Sequence, residues 1–261
     1  MRTYVVTGAA SGIGATTAEM IASRGDLVIG VDLNESDVVA DLSTPEGRKE
    51  AVRKTLEKAQ GTAIDAVIAA AGISAPKALT VAVNYFGVTQ FLEGLAPAMA
   101  KANAPRAVVV SSMASVQQNS PKLVDAMLDG DESTALAIGA QLEAAGPREG
   151  YLNYPSSKRA LSRWVRRECI TPRWAGVGIP LNAVAPGTVI TNMTRSMLAT
   201  EEGRAMVDSN VPMPLNYHSE ASVIAKLLLW LTSEENTHVT GQTIHCDGGA
   251  EATLRGENIW S

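Results

Sequence analysis

The sequence predicts a single-domain, doubly wound α/β fold, in which a parallel β-sheet is covered by helices on both faces. Two observations support this prediction. Short runs of apolar and β-branched residues recur along the chain, and segments of helix length separate them. Continuous apolar runs are typical of strands buried on both faces. Strands that alternate with helices are joined by right-handed crossovers, so they build one parallel sheet.

Strands and helix starts can be placed in order along the chain. Ser43 and Glu46 form a candidate capping box with Pro45 in the first helical turn, and Ser219 with Glu220 is expected to open a later helix. The predicted strands are residues 4–6, 27–31, 66–68, 107–110 and 181–184, and the alternation at residues 245–247 places them in a closing strand. We find no fixed-period repeat and no low-complexity linker, so residues 1–261 are predicted to form one domain.

Composition excludes several classes of function. The 261 residues are 46% hydrophobic and carry a net charge of -5, which argues against nucleic-acid binding and against an anionic membrane surface. No apolar run approaches the roughly 20 residues that span a bilayer. The first strand begins so early that no signal peptide is expected. Cys169 and Cys246 lie far apart without metal-ligand spacing, so we expect a reduced, cytoplasmic protein with no metal site.

A glycine-rich turn follows the first predicted strand. Residues 7–14 read Thr-Gly-Ala-Ala-Ser-Gly-Ile-Gly and lead into a helical pattern. Glycines at such a turn let the backbone approach a pyrophosphate, and the free N–H groups of the helix N-terminus receive its charge. A tight turn also needs glycine, but the strand before it, the helix after it and Asp32 past the second strand favour a dinucleotide site.

Asp32 indicates which dinucleotide is bound. A carboxylate there can accept hydrogen bonds from the adenosine ribose hydroxyls, whereas it would repel a 2'-phosphate. Leu33 and the glycine-rich turn supply no arginine or lysine for that phosphate. NAD is therefore predicted in preference to NADP. The alternative is that Asp32 is a turn residue at a strand end.

Tyr154 and Lys158 are the candidates for chemistry. Four residues apart at the start of a helix, they project from one face, with Asn153 and Tyr154 expected at the helix entrance because Pro155 follows. A nearby cation favours phenolate, so we expect the pKa of Tyr154 to fall. Such a phenol can exchange a proton with an alcohol or ketone. Taken alone, the same spacing is also that of an ordinary surface pair.

Several motifs in order make the chain resemble the short-chain dehydrogenase/reductase family, nearly from end to end. Ala70 departs from the pattern, because the family has an asparagine with a structural role before the Ala-Gly of Ala71 and Gly72. The resemblance is carried by the glycine-rich turn of residues 7–14, Asp41-Leu42, Asn84 within Val83–Gly87, Ser111-Ser112, Tyr154 with Lys158, residues 182–187 followed by Thr191, Gly241 and residues 247–249.

The resemblance implies a Rossmann fold and a set of roles. Tyr154 exchanges the proton, Lys158 lowers its pKa and bonds the nicotinamide ribose, Ser112 donates to the substrate oxygen, and Asn84 holds a water that links Lys158 to solvent. The implied NAD-binding residues are Gly8, Ser11, Gly12, Ile13, Gly14, Asp32, Leu33, Asp41, Leu42, Ala71, Gly72, Tyr154, Lys158, Pro186, Gly187, Val189 and Thr191.

Residues 117–150 form an insertion before the tyrosine. Apolar residues at helical spacing predict two extra helices there. The bacterial 3-alpha-hydroxysteroid dehydrogenase/carbonyl reductase branch of the family is similar in this respect, and its insertion covers the helix face through which relatives form tetramers. The resemblance therefore implies a homodimer, with a homotetramer as the alternative. Trp260 is a further candidate for contact with a partner subunit.

Residues 192–216 are expected to form the substrate lid. Met193, Met197 and Met206 stand out in this stretch, and methionine suits irregular apolar surfaces. We infer a small, hydrophobic, cyclic secondary alcohol or its ketone, of steroid or terpenoid type. Ordinary core contacts would explain the methionines equally well. The alternative functions are a broad-range carbonyl reductase, an aryl-alcohol dehydrogenase and, outside enzymes, an NAD-sensing regulator.

Overall fold

A computed structural model describes residues 1–259 of the chain. The strands are β1 Thr3–Thr7, β2 Leu27–Asp32, β3 Val38–Val39, β4 Ala66–Ala69, β5 Arg106–Val110, β6 Leu181–Pro186, β7 Val189–Ile190, β8 Ser219–Glu220 and β9 Thr243–Cys246. Seven of these strands form one parallel sheet in the order β3-β2-β1-β4-β5-β6-β9, and β7 pairs with β8 in a separate two-stranded sheet. This order confirms the predicted doubly wound fold.

Helices cover both faces of the sheet. They are α1 Gly12–Ala22, α2 Pro45–Lys58, α3 Leu79–Val81, α4 Val88–Met99, α5 Pro121–Leu128, α6 Glu132–Ala145, α7 Pro147–Tyr151, α8 Asn153–Glu168, α9 Asn192–Arg195, α10 Glu201–Asn210, α11 Ala221–Leu231 and α12 Ala250–Arg255. α1 and α11 pack together on one face, whereas α2, α4 and α8 cover the other. None of the helices within residues 1–259 combines the length and the apolar character needed to cross a membrane.

Strand residues alternate between two hydrophobic cores. In β1, Val5 belongs to the core under α2, α4 and α8, while Tyr4 and Val6 belong to the core under α1 and α11. In β4, Val67 likewise faces away from Ile68. Successive side chains of a strand point to opposite faces, so a run buried on both sides must be apolar throughout. This is why the predicted strands read as continuous apolar segments.

Two predicted helix starts need correction. Thr44, and not Ser43, caps α2, because the Thr44 hydroxyl accepts a hydrogen bond from the backbone N–H of Gly47 at 3.0 Å. Ser219 and Glu220 form strand β8, and α11 begins only at Ala221. The hydroxyl of Ser219 bonds to the carbonyl of Thr188 instead of capping the helix.

The insertion contains the two predicted helices, α5 and α6, followed by the short helix α7. Leu123 and Met127 of α5 are fully buried in the core that α8 helps to form, and Leu136 of α6 packs against the same core. The insertion is therefore integral to one face of the molecule. Trp260, the proposed partner contact, lies outside the described residues.

Candidate active site

The glycine-rich turn packs closely against the ends of two strands. Gly8 has a φ of +71°, a region that favours glycine, and its N–H donates to the carbonyl of Val31 at 2.9 Å. A Cβ on Gly14 would lie 2.1 Å from the carbonyl oxygen of Gly8. Only glycine therefore lets α1 begin directly beneath the turn. The first N–H groups of α1 have no partner within the helix, which suits a pyrophosphate.

Asp32 lies at the end of β2, beside the glycine-rich turn. Its carboxylate accepts hydrogen bonds from the backbone N–H groups of Ala10 and Asn34, each at 3.0 Å. These two contacts fix the carboxylate at the rim of the cleft. Asp41 and Leu42 line the same part of the cleft, and the Asp41 carboxylate accepts the N–H of Ser43 at 2.8 Å.

Ser112 and Tyr154 meet on the opposite side of the cleft. Tyr154 is the second residue of α8, as expected from Pro155, and Ser112 precedes a short helical turn that begins at Met113. The Ser112 hydroxyl accepts the N–H of Ala114 at 3.1 Å and lies close enough to the Tyr154 phenol to lower its pKa. A carbonyl or hydroxyl oxygen at this point would meet two polar hydrogens at once.

The neighbouring Ser111 has a structural position. Its hydroxyl donates to the carbonyl of Lys158 at 3.1 Å and is paired with the hydroxyl of Ser162 at 2.8 Å. Ser111 therefore ties the end of β5 to α8, while the side chain of Ser112 is directed at Tyr154. The two adjacent serines after β5 therefore have different partners, and only Ser112 faces the tyrosine.

Lys158 is buried beneath the tyrosine ring. Its Nζ donates to the carbonyl of Val110 at 2.8 Å and lies 5.9 Å from the centroid of the Tyr154 ring. Burial lowers the pKa of Lys158 from 10.5 to about 8. The ammonium of Lys158 therefore loses its proton at a lower pH than that of an exposed lysine.

The predicted direction of the Tyr154 pKa is wrong for this structure. Burial raises the pKa of Tyr154, and the hydrogen bond with Ser112 opposes this only in part. The physical reason is desolvation, since a phenolate in a buried position loses its hydration. Lys158 directs its ammonium to a backbone carbonyl, so it does not reverse that effect.

Asn84 lies behind the cleft, within a widened π-type turn of residues Ala82–Gly87. Its side chain is fully buried, exchanges two 2.9 Å hydrogen bonds with the backbone of Ile73, and contacts the Ser157 hydroxyl at 3.3 Å. Asn84 Oδ1 and Lys158 Nζ both lie within 3.4 Å of the point that a Cβ on Gly72 would occupy. The asparagine and the lysine are thus close neighbours.

One cleft of about 500 Å³ brings most of the predicted residues together. All seventeen predicted NAD-binding residues line it, and so do Ser112 and Met193. Asn84, Met197 and Met206 lie outside that lining. Three apolar lining residues were not predicted, namely Ile73, Leu79 and Val83. Each lies close in sequence to a predicted motif, and this proximity is the signal that could have indicated them.

Residues 192–216 fold into short helical segments beside the cleft. α9 begins after Thr191, whose N–H donates to the Thr194 hydroxyl at 3.1 Å, and α10 covers Glu201–Asn210. Met193, Met197 and Met206 are exposed to solvent by 46%, 39% and 56%. These side chains are not ordinary core contacts in this structure, which removes one of the two explanations for the methionines.

Comparisons with known proteins agree with this geometry. The family model described as enoyl-(acyl carrier protein) reductase matches residues 8–251. The 3-alpha-hydroxysteroid dehydrogenase/carbonyl reductase of Comamonas testosteroni is 35% identical over 260 residues, which cover 98% of each protein.

Two solved structures are also similar. The 3-alpha-hydroxysteroid dehydrogenase from Pseudomonas sp. B-0831, complexed with NADH, is 37% identical with a TM-score of 0.87, and the match covers 98% of this chain and 100% of that one. A structure described as an NAD(P)-dependent gluconate 5-dehydrogenase from Beutenbergia cavernae, with NADP bound at low occupancy, is 26% identical with a TM-score of 0.73, covering 96% and 97%. The sequence, the sheet and the cleft together show that this chain belongs to the short-chain dehydrogenase/reductase family of nucleotide-dependent oxidoreductases.

Proposed function

We propose that the protein interconverts a hydrophobic secondary alcohol and its ketone with NAD as the hydride carrier. One observation supports this most strongly. The Ser112–Tyr154 pair and the Asp32 carboxylate line the same cleft, with the glycine-rich turn between them. A dinucleotide that extends from Asp32 across the turn would end beside the phenol.

The preference for NAD rests on the charges at the rim. The Asp32 carboxylate is held in place by Ala10 and Asn34, so it cannot easily turn away from a 2'-phosphate. Among the cleft-lining residues in the described part of the chain, Lys158 is the one with a basic side chain. That lysine donates to the Val110 carbonyl beside Tyr154, so its charge is already engaged at the catalytic end.

The proposed roles follow from the contacts. The nicotinamide ring, when bound, supplies the hydride acceptor or donor. In the direction of reduction, Tyr154 gives its phenolic proton to the oxygen of the ketone, while Ser112 donates a hydrogen bond to the same oxygen. In the direction of oxidation, the alcohol proton moves to Tyr154. Lys158 lies next to the phenol, and its cation would stabilise the phenolate that forms after proton donation.

Asn84 is proposed to support Lys158 from behind the cleft. Its amide fixes the backbone at Ile73, and its Oδ1 lies near Nζ of Lys158 across Gly72. The role that the family implies, holding a water that connects the lysine to solvent, stays a prediction. The proximity of the two side chains is compatible with it.

The substrate class is proposed from the lining and from the relatives. The cleft lining includes the apolar residues Ile73, Leu79, Val83, Val189 and Met193. Two relatives are named 3-alpha-hydroxysteroid dehydrogenases, and one of these is also named a carbonyl reductase. We therefore propose a cyclic substrate of steroid or terpenoid type, with a broader range of carbonyl compounds as the second candidate. Met197 and Met206 would contact it only if the lid moved.

A homodimer is proposed for the assembly. α5 of the insertion packs on α8, where Arg167 donates to the carbonyl of Leu128 at 2.7 Å and Arg163 approaches Asp125 at 3.4 Å. This face is therefore covered by the chain itself, which disfavours a helical interface with another subunit. A mass in solution equal to four chains, with α8 at the interface, would contradict the proposal.

The cytoplasmic location stays a prediction.

A panel of steroid, monoterpene and aromatic alcohols tests the function. We expect NADH absorbance to increase with at least one cyclic secondary alcohol, and kcat/KM to be at least about tenfold higher with NAD than with NADP. Asp32→Ser should lower the ratio of kcat/KM with NAD to that with NADP. Substitution of the exposed Glu35 in Glu35→Ser, which retains Asp32, should leave this ratio unchanged. A wild-type ratio in favour of NADP would contradict the choice of cofactor. Activity restricted to primary aryl alcohols would contradict the substrate class.

A further inference from the structure

A buried ion pair connects the insertion to the back of the cleft. Nη2 of Arg48, in α2, donates to both carboxylate oxygens of Glu132, at 2.6 and 2.7 Å. The side chains are exposed by only 2% and 20%. Glu132 is the first residue of α6, where a negative charge is favoured by the helix dipole, and Gln90 donates to it at 3.3 Å.

The other amino group of Arg48 faces the cleft wall. Its Nη1 donates to the carbonyl oxygens of Leu42 at 3.3 Å and Ser43 at 3.4 Å. Leu42 and Ser43 line the cleft on the side of Asp32. The guanidinium of Arg48 therefore contacts the cleft wall at Leu42 and Ser43 through one nitrogen, and the insertion through the other.

The cleft wall at Leu42 also packs closely against the turn before α4. A Cβ on Gly87 would lie 2.9 Å from the Leu42 carbonyl oxygen, so the turn before α4 already closes on this carbonyl. A buried arginine also needs a counterion, because an uncompensated charge at 2% exposure is strongly unfavourable. Without Glu132, the guanidinium would be expected to turn towards solvent and release both carbonyls.

From these contacts we propose that Arg48 and Glu132 are positioning residues that set the affinity for the adenosine half of the dinucleotide. Glu132 acts through Arg48, and Arg48 acts through the carbonyls of Leu42 and Ser43. The insertion is thereby part of the cofactor site. This inference rests on the proposed binding of NAD in the cleft.

The test compares Arg48→Met with the double variant Arg48→Met/Glu132→Met. We expect Arg48→Met to weaken the binding of NADH and the inhibition by ADP-ribose about threefold to tenfold, which is the range for losing one or two hydrogen bonds. KM for the alcohol and kcat should change less than about twofold, because the Ser112–Tyr154 end is untouched. The double variant should regain the wild-type thermal midpoint, because a buried ion pair can often be replaced by apolar residues without loss of stability. Its affinity for NADH should stay reduced.

Arg53→Met is the matched control. Arg53 lies on the same helix, is 53% exposed and pairs only with Glu50 and Glu57 of that helix among the described residues. Its substitution should leave NADH affinity within about twofold of the wild type. If Arg48→Met folds and binds NADH and ADP-ribose normally, or if the double variant regains wild-type affinity, the inference is overturned. Failure of the wild-type protein to bind NADH would instead overturn the proposed function on which the inference rests.

Discussion

Lys158→Met should stabilise the protein while removing its activity. Lys158 is 4% exposed, and burial lowers its pKa from 10.5 to about 8. A pKa below the ordinary value means that the folded protein disfavours the charged form. Methionine keeps an apolar stem of similar length without the charge, so it removes that penalty together with the ammonium proposed to support Tyr154.

The magnitude follows from the pKa. Each pKa unit corresponds to about 1.36 kcal/mol, so the penalty at pH 7 is about 3 kcal/mol. The substitution also leaves the Val110 carbonyl without its 2.8 Å donor, which costs about 1–3 kcal/mol. The net gain in unfolding free energy is about 1 kcal/mol, a rise of roughly 2–4 °C in the thermal midpoint for a chain of this size.

The pH dependence gives the sharper assay. Between pH 8 and 10.5 the unfolded chain binds more protons at Lys158 than the folded protein does, so the wild type gains stability as pH rises. The advantage of Lys158→Met should therefore shrink by about 2 kcal/mol between pH 7 and 9.5 in denaturant titrations. All other titrating groups are shared by both proteins and largely cancel. A stability difference that is constant with pH, or that grows, would show that burial does not lower the pKa of Lys158.

Two further predictions concern the turn and the lysine. Gly14→Ala places a Cβ 2.1 Å from the Gly8 carbonyl oxygen, so its free energy of unfolding should fall by at least about 2 kcal/mol in thermal unfolding. The control Gly176→Ala should lose less than about 1 kcal/mol, because its Cβ comes no closer than 3.4 Å to Pro172. Unchanged stability of Gly14→Ala would contradict the close approach. For ketone reduction, kcat/KM should fall above about pH 8 as Lys158 loses its proton, and Lys158→Arg should move this limb to higher pH because arginine stays charged. A wild-type profile that is flat to pH 9.5 would exclude that role of the cation.

Most of the fold was predictable because its strands are buried on both faces. The apolar run at residues 4–6 leaves no polar face, so it indicates a central parallel strand, and the structure places it between β2 and β4. The two-residue strands β3, β7 and β8 were not predicted, because two residues carry no periodicity. The cap of α2 was misplaced by one residue, since Ser43 and Thr44 offer equivalent hydroxyl groups and only the backbone geometry selects between them.

The sequence was enough to predict which residues line the site, but not how deeply they are buried or what they hydrogen-bond to. The spacing of Tyr154 and Lys158 places them on one face, and the structure does bring them together. Sequence cannot show that both are desolvated or that Val110 takes the ammonium, and those facts reverse the expected direction of the Tyr154 pKa. The Arg48–Glu132 pair was equally invisible, because its members are 84 residues apart and meet only through the packing of the insertion.

Tyr154→Phe shows whether the Tyr154 phenol transfers the proton during turnover. The variant removes one oxygen and keeps the ring, so we expect NADH to bind within about twofold of the wild-type affinity. Turnover with the best alcohol of the panel should fall by about a thousandfold, the middle of the range for removing a positioned acid–base group. A folded Tyr154→Phe protein that binds NADH and turns over at a near-normal rate would exclude Tyr154 as the proton donor and acceptor.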